Sequence, residues 1–137
     1  MSIGFIVDAS TDIGSGHWSR CLNFTKIIGD RNNYFISRFF FKNKKKISKI
    51  KIIKIKKDQF NIKELRNVIE NYNIKTLVID NYSFNYLLQK KINKYVKKLI
   101  IISDFKDKKY YCDVLLNYSF LNKAEKNSIK KKIQIYN

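Results

Sequence analysis

The stretch Ile13-Gly14-Ser15-Gly16-His17-Trp18-Ser19-Arg20 follows a short apolar run, Ile3 to Val7, and opens a helical pattern. An apolar run of that length, then a loop of turn formers, then a helical period, reads as a strand–loop–helix unit. Two glycines let the backbone turn tightly and approach a ligand. His17, the sole histidine, falls in the first turn of the helix. Backbone N–H groups there are unpaired, and the helix dipole adds partial positive charge. Such a place attracts phosphate or carboxylate. It disfavours an imidazolium and so favours a ring able to accept a proton. A hydrogen-bonded structural histidine in a glycine turn fits the same spacing.

Working outward, strands and helices alternate. The spacing predicts a helix from about Gly16 to Ile28, with Cys21, Leu22, Thr25 and Ile28 on one face and Gly29-Asp30 ending it. Tyr34 to Phe41 reads as a second strand and Asn43 to Lys46 as a charged loop. Lys51 to Ile55 suits a strand near the sheet edge, where lysines discourage pairing with other chains. Asn61 caps a helix with Glu64 as its capping-box partner, and Ile62, Leu65, Ile69 and Tyr72 form its apolar face. Thr76 to Ile79 is a buried strand running into Asp80-Asn81-Tyr82-Ser83. A helix from about Phe84 to Tyr95 follows, with Leu87, Leu88 and Ile92 inward. Leu99 to Ile102 is the most apolar strand, Val114 to Asn117 a further short one, and the tail from Lys123 a helix and then a short strand.

This alternation implies an α/β fold: a Rossmann-like parallel sheet with helices on both faces and right-handed crossovers, in one domain covering 1–137. Ligands of such sheets bind beyond the carboxyl ends of the strands. Asp8 to His17, Asp80 to Ser83 and Ser103-Asp104 all fall at those ends and converge on one rim.

The net charge is +18, from 29 Lys+Arg against 11 Asp+Glu. Such an excess raises nucleic acid or an anionic membrane as a partner. Lys, Ile and Asn dominate the whole chain, however, so the excess reads as a compositional bias over solvated faces. Nucleic acid is not expected, and membrane contact is peripheral at most. Cys21 and Cys112 lack metal-like spacing and read as reduced core thiols. No signal peptide or membrane-span pattern is present, so the expected location is the cytoplasm. A dinucleotide fingerprint would need a third glycine where Ser19 stands and a carboxylate near Ser37-Arg38-Phe39. A P-loop would need Gly-Lys-Ser/Thr after the glycines. Neither is there; an NADP site with Arg38 on the phosphate is the minor alternative, and no cofactor or metal is expected.

Val7-Asp8-Ala9-Ser10 followed by Ile13-Gly14-Ser15-Gly16-His17-Trp18-Ser19-Arg20-Cys21 resembles the start of the nucleotide-sugar hydrolases of pseudaminic acid biosynthesis and of related spore-coat polysaccharide proteins. The resemblance continues at Leu77-Val78-Ile79-Asp80-Asn81-Tyr82, at Ile102-Ser103-Asp104 and at Cys112 to Asn117. It implies a hydrolase, independent of metal, that releases UDP from a UDP-linked 2,4-diacetamido-2,4,6-trideoxy hexose in surface-glycan synthesis. It also implies the N-terminal half of a two-domain, GT-B-like glycosyltransferase architecture whose C-terminal domain holds most of the UDP site. That second domain is absent from this sequence. The expected partners are therefore the UDP-sugar and either a separate C-terminal chain or a second copy. A non-catalytic or split-enzyme subunit is the alternative function, with a basic nucleic-acid or membrane module behind it. Activity of this chain alone stays open. The sequence departs from the family pattern at Ile6, where arginine is frequent, and at Ser103, where a second aspartate precedes Asp104.

Mapped by motif, His17 is the expected general base, activating water at the anomeric carbon. Gly14 and Gly16 let the backbone approach the substrate. Tyr82 hydrogen-bonds or stacks on the sugar, or is a half-buried strand-end tyrosine. Asp8 orients His17 or a sugar hydroxyl, or only forms a turn, and Asp80 has the same two readings. Arg20 holds a diphosphate or is solvated. Asp104 completes the expected substrate-binding set, and Trp18 packs against a neighbouring element.

Overall fold

A computed structural model describes residues 1–11, 13–29, 32–40, 50–56, 58–105, 108–117 and, as backbone, 134–136. Among these, seven strands form one sheet: β1 (Ser2–Val7), β2 (Asn32–Ser37), β3 (Ile50–Lys54), β4 (Ile74–Asp80), β5 (Lys98–Ser103), β6 (Val114–Asn117) and β7 (Gln134–Tyr136). Their order is β3-β2-β1-β4-β5-β6-β7, and every pairing is parallel. This is a Rossmann-like α/β arrangement. The order reverses between β1 and β4, which opens a crevice beyond their carboxyl ends. All six residues of β1 are buried, as a strand covered on both faces requires.

Helix α1 (Gly16–Ile28) covers one face, and α2 (Ile62–Asn71) and α3 (Tyr86–Ile92) the other. Strand alternation builds both cores. Ile3, Phe5, Val7, Val78 and Ile102 meet Trp18 and Cys21 of α1. Ile6, Ile36, Leu77, Ile79, Leu99 and Ile101 meet Leu65, Ile69 and Ile92 from α2 and α3. Trp18 packs edge-on against Phe35, 4.8 Å between centroids, as expected of a packing residue.

The elements differ from the sequence reading mainly at their ends. The second strand stops at Ser37, because Arg38 turns its backbone N–H onto Asp8. Asn61 caps α2 by accepting from the N–H groups of Lys63 and Glu64. The Glu64 carboxylate accepts from Lys56 N–H, outside the helix, and so leaves the capping box half made. The predicted helix over 84–95 splits: Asn85 caps α3, and a 3-10 turn, Asn93–Tyr95, tightens its end. Leu87 is 64% exposed and not inward, since the shorter helix directs Gln89 and Ile92 to the sheet. Tyr72, just past α2, is also exposed and packs at a tilt against Tyr34 at 4.8 Å. On β3, Ile52 is exposed between lysines, as an edge position allows. The tail strand is β7; the charged loop at Asn43 to Lys46 and the tail helix lie outside the described residues.

Gly4 sits where β1 passes closest to β4. A Cβ there would lie 3.1 Å from Ile74 Cδ1 and Cγ2 and from Leu77 Cδ1, both side chains fully buried. Neither neighbour has room to retreat. Gly4→Ala is therefore expected to lower unfolding free energy by about 1–3 kcal/mol, read as an earlier urea midpoint at unchanged slope.

Candidate active site at the switch point of the sheet

The polar residues of the rim come from the carboxyl ends of adjacent strands. Asp80 closes β4 opposite Val7 of β1, and Asp8 is the next residue along β1. Asp80 keeps the face of Val78 and points toward α1, whereas Asp8 takes the face of Ile6 and points toward α2. Adjacent strand ends thus send their carboxylates to opposite sides of the sheet.

Around Asp80 the donors come from α1. Arg20 Nε donates to Oδ2 at 2.7 Å and its Nη2 to Oδ1 at 2.5 Å, a bidentate fork. His17 Nδ1 lies 2.6 Å from Oδ1. An unprotonated Nδ1 would set a lone pair against an anion at that distance, so Nδ1 carries the hydrogen and donates it. In the neutral ring, Nε2 is then the basic nitrogen. The 3.0 Å approach of Arg20 Nη2 to His17 Nδ1 follows from both groups converging on one oxygen. Cys21 completes the group, with Sγ 3.9 Å from Asp80 Oδ2. Burial first, then the charge of Asp80, pushes its thiol up, against a smaller opposing effect of Arg20; it is a buried thiol and no nucleophile. Cys112, also buried and free, is pushed up to about 12, mainly by burial.

Asp8 has a different neighbourhood. Its carboxylate accepts from Arg38 N–H at 2.7 Å, from Arg38 Nε and Nη2 at 3.0 and 2.8 Å, and from Asn81 Nδ2 at 2.7 Å. Ser37 Oγ and Phe39 N–H add longer bonds of 3.3 Å. The Arg38 guanidinium lies 4.0 Å from the centroid of Phe60 and donates from Nη1 to Asp58 O. Asp8 therefore ties the ends of β1, β2 and β4 together. It does not orient His17, because alternation turns it away from α1; Asp80 does that instead. Arg20, expected to hold a diphosphate or to be solvated, has its Nε and Nη2 engaged on Asp80.

The loop before α1 is braced by its own backbone: Gly14 N–H donates to Ser10 O at 2.8 Å, and Ile13 N–H to Ser10 Oγ at 3.1 Å. Gly14 has φ +79°, the left-handed region that glycine tolerates. Gly16 begins α1 with open space around its Cα. Ser15 precedes it without a side-chain cap, so the first-turn N–H groups carry none.

Tyr82 stands at the mouth of the site, 46% exposed. Its ring meets His17 edge-on at 4.5 Å and Phe105 at 4.8 Å, and its hydroxyl donates to Asp104 at 2.8 and 3.0 Å. Burial and then the Asp104 carboxylate raise its phenol pKa, against the opposing charge of Arg20, so it remains a hydrogen-bond donor through the neutral range. A cavity of about 320 Å³ is lined by Asp8, Ile13, His17, Arg38, Asp80, Asn81, Tyr82 and Ser83. The fold thus gathers His17, Arg20 and Asp80 in one hydrogen-bonded group, with Asp8 across the cavity and Asp104 reached through Tyr82. No group of three or more His, Cys, Asp or Glu side chains arranged to hold a metal occurs among the described residues. No family model matches this chain, and no curated protein matches it.

Two residues escaped the sequence reading. The sequence offers Arg38 only as a minor cofactor-phosphate candidate, and it singles out no role for Asn81. The signal for Asn81 was its place after Asp80 on a strand end; nothing local to Arg38 pairs it with a residue thirty positions earlier.

Two measurements follow from this geometry. Histidine-specific isotope labelling gives the signals of one ring, since His17 is the sole histidine. The neutral ring is expected to hold its proton on Nδ1. In Asp80→Asn it should move to Nε2, because Arg20 Nη2 at 3.0 Å can then donate to Nδ1. Asp8→Ala leaves the buried Arg38 cation unpaired and should cost about 3–5 kcal/mol of stability in urea unfolding, with the labelled His17 ring undisturbed.

Proposed function

We propose that this chain carries the general-base half of a nucleotide-sugar hydrolase, releasing UDP from a UDP-linked 2,4-diacetamido-2,4,6-trideoxy hexose in surface-glycan synthesis. The observation that carries the reading is the 2.6 Å contact between His17 Nδ1 and the buried carboxylate of Asp80, at the wall of an open cavity beyond the strand ends. A fixed imidazole with Nε2 as its basic nitrogen is what proton abstraction from water needs. The cavity also lies beside the uncapped first turn of α1, where backbone N–H groups favour phosphate. The blocks at residues 7–10, 13–21, 77–82, 102–104 and 112–117 resemble that family, with departures at Ile6 and Ser103.

In the reaction, the oxygen of water attacks the anomeric carbon while its proton passes to His17 Nε2. The bond from that carbon to the phosphate oxygen breaks, and its electron pair leaves with UDP. Asp80 stabilises the imidazolium that forms, and Arg20 holds Asp80 in place. Tyr82, with its hydroxyl on Asp104, offers its ring edge and exposed face to the sugar. The uridine contacts come from a second Rossmann-like domain facing this one, as in GT-B-like enzymes.

The test is UDP release from the UDP-linked diacetamido sugar with the second domain supplied. His17→Asn is expected to lower turnover by about 100- to 10,000-fold while UDP affinity stays nearly unchanged, because nucleotide contacts lie elsewhere. Unchanged turnover would remove His17 from the chemistry. A collapse of folding or of UDP affinity would make it a structural residue.

A further inference from the structure

The lysine excess is general, but the carboxylates are not evenly placed. Strands of a parallel sheet start at one edge and end at the other. Of the described acids, Asp8, Asp58, Glu64, Asp80 and Asp104 fall at the carboxyl-end edge, where Asp8 and Asp80 line the cavity. At the opposite edge the described acids are Glu70, bound to Arg66 at 2.7 Å, and Asp113, whose carboxylate accepts from Leu99 N–H. A uniform bias toward lysine would not sort the acids in this way.

That opposite edge carries Lys75 at the start of β4, Lys90 and Lys91 in the last turn of α3, Lys94 in the 3-10 turn, and Lys97 and Lys98 at the start of β5. Lys97 N–H donates to Lys75 O at 2.8 Å, so the group is contiguous. All but the half-buried Lys75 are exposed, and among the described residues none is paired with a carboxylate. The same edge leaves apolar side chains in the solvent. Ile27, in the last turn of α1, is 82% exposed and Met1 74%, and Tyr72 and Tyr95, at the same edge on the side of α2 and α3, are partly exposed.

We propose that this edge docks on an anionic lipid bilayer, with the lysines over the headgroups and Ile27 and Met1 reaching below them, so that the His17 cavity faces away from the membrane. Lysines supply attraction to anionic lipid. Aliphatic side chains beside tyrosines are what an interfacial surface adds to charge. Nucleic acid would be met by arginine forks and free aromatic faces. Here Tyr72 packs at a tilt against Tyr34, and Tyr95 lies beneath Arg66 at 5.3 Å. No helix among the described residues is long and apolar enough to cross a membrane, so the contact is peripheral. The surface is separate from the chemistry at His17, and either reading can fail without the other.

The experiment is sedimentation with vesicles of phosphatidylcholine, alone or mixed with phosphatidylglycerol. Binding is expected to the mixed vesicles only, falling with salt. Lys91→Glu with Lys94→Glu and Lys97→Glu should weaken it by about 100-fold or more. The matched set Lys54→Glu, Lys56→Glu and Lys63→Glu, at the cavity edge, should weaken it by less than about tenfold. Ile27→Ser should weaken vesicle binding by about tenfold and leave binding to single-stranded RNA unchanged. Circular dichroism and melting confirm that each variant folds. Equal losses from the two charge sets would overturn the proposal in favour of net charge alone. Failure to bind mixed vesicles would overturn it outright. RNA binding tighter than vesicle binding, with Ile27→Ser without effect on vesicles, would assign the edge to nucleic acid instead.

Discussion

The rim of this sheet depends on how two buried carboxylates are paired. Asp8 and Asp80 end neighbouring strands and have almost no exposed side-chain surface. An isolated buried carboxylate is costly, and a guanidinium with further hydrogen bonds offsets much of that cost. Each aspartate therefore takes an arginine in fork geometry, Arg38 for Asp8 and Arg20 for Asp80. These pairings dictate what surrounds them. The chain must leave β2 at Ser37 so that the Arg38 backbone reaches Asp8. The first two turns of α1 must lie over β4 so that His17 and Arg20 reach Asp80.

The two pairs are alike in charge and differ in what they leave available. Asp8, at the end of β1, spends its acceptor capacity on backbone and side-chain donors from the ends of β2 and β4. It is a clamp. Asp80 accepts from three side chains of one helix, and one of them is an imidazole whose second nitrogen is not needed by the group. The same physical device, repeated on opposite faces of one sheet, yields a joint in one case and an oriented imidazole in the other. The difference lies in the partner helix: α1 brings a titratable ring to the cavity wall, while the α2 side brings Phe60 under the guanidinium.

The molecule also has two unlike edges. Where strands end, acids and bases are interlocked around a cavity; where they begin, lysines with no carboxylate partner among the described residues share the edge with exposed aliphatic side chains. A parallel sheet separates these naturally, because every crossover returns the chain to the same starting edge. Loops before helices collect at one end and loops before strands at the other, so chemistry and attachment can be placed on different loops.

The sequence by itself determined the class of fold and its central strands. Ile3–Val7, Leu77–Ile79 and Leu99–Ile102 are continuously apolar, and only strands covered on both faces require that. It also placed His17, Asp8, Asp80, Tyr82 and Asp104 on one rim, because each follows or ends a strand, or opens a helix after one. Periodicity carried that information and lost it at the ends of elements. Asn85 capped α3 later than the apolar spacing suggested, and Leu87 pointed to solvent. Only the tertiary structure decided which rim residue meets which. The alternation of side chains along a strand sends Asp80 toward α1 and Asp8 away from it, but whether α1 or α2 covers a given face depends on the direction of each crossover. Arg38 finds Asp8, and Arg20 finds Asp80, through strand pairings and helix packing that separate them by 30 and 60 residues in the chain. No local spacing encodes a hydrogen bond of that range; it exists only once the sheet has assembled.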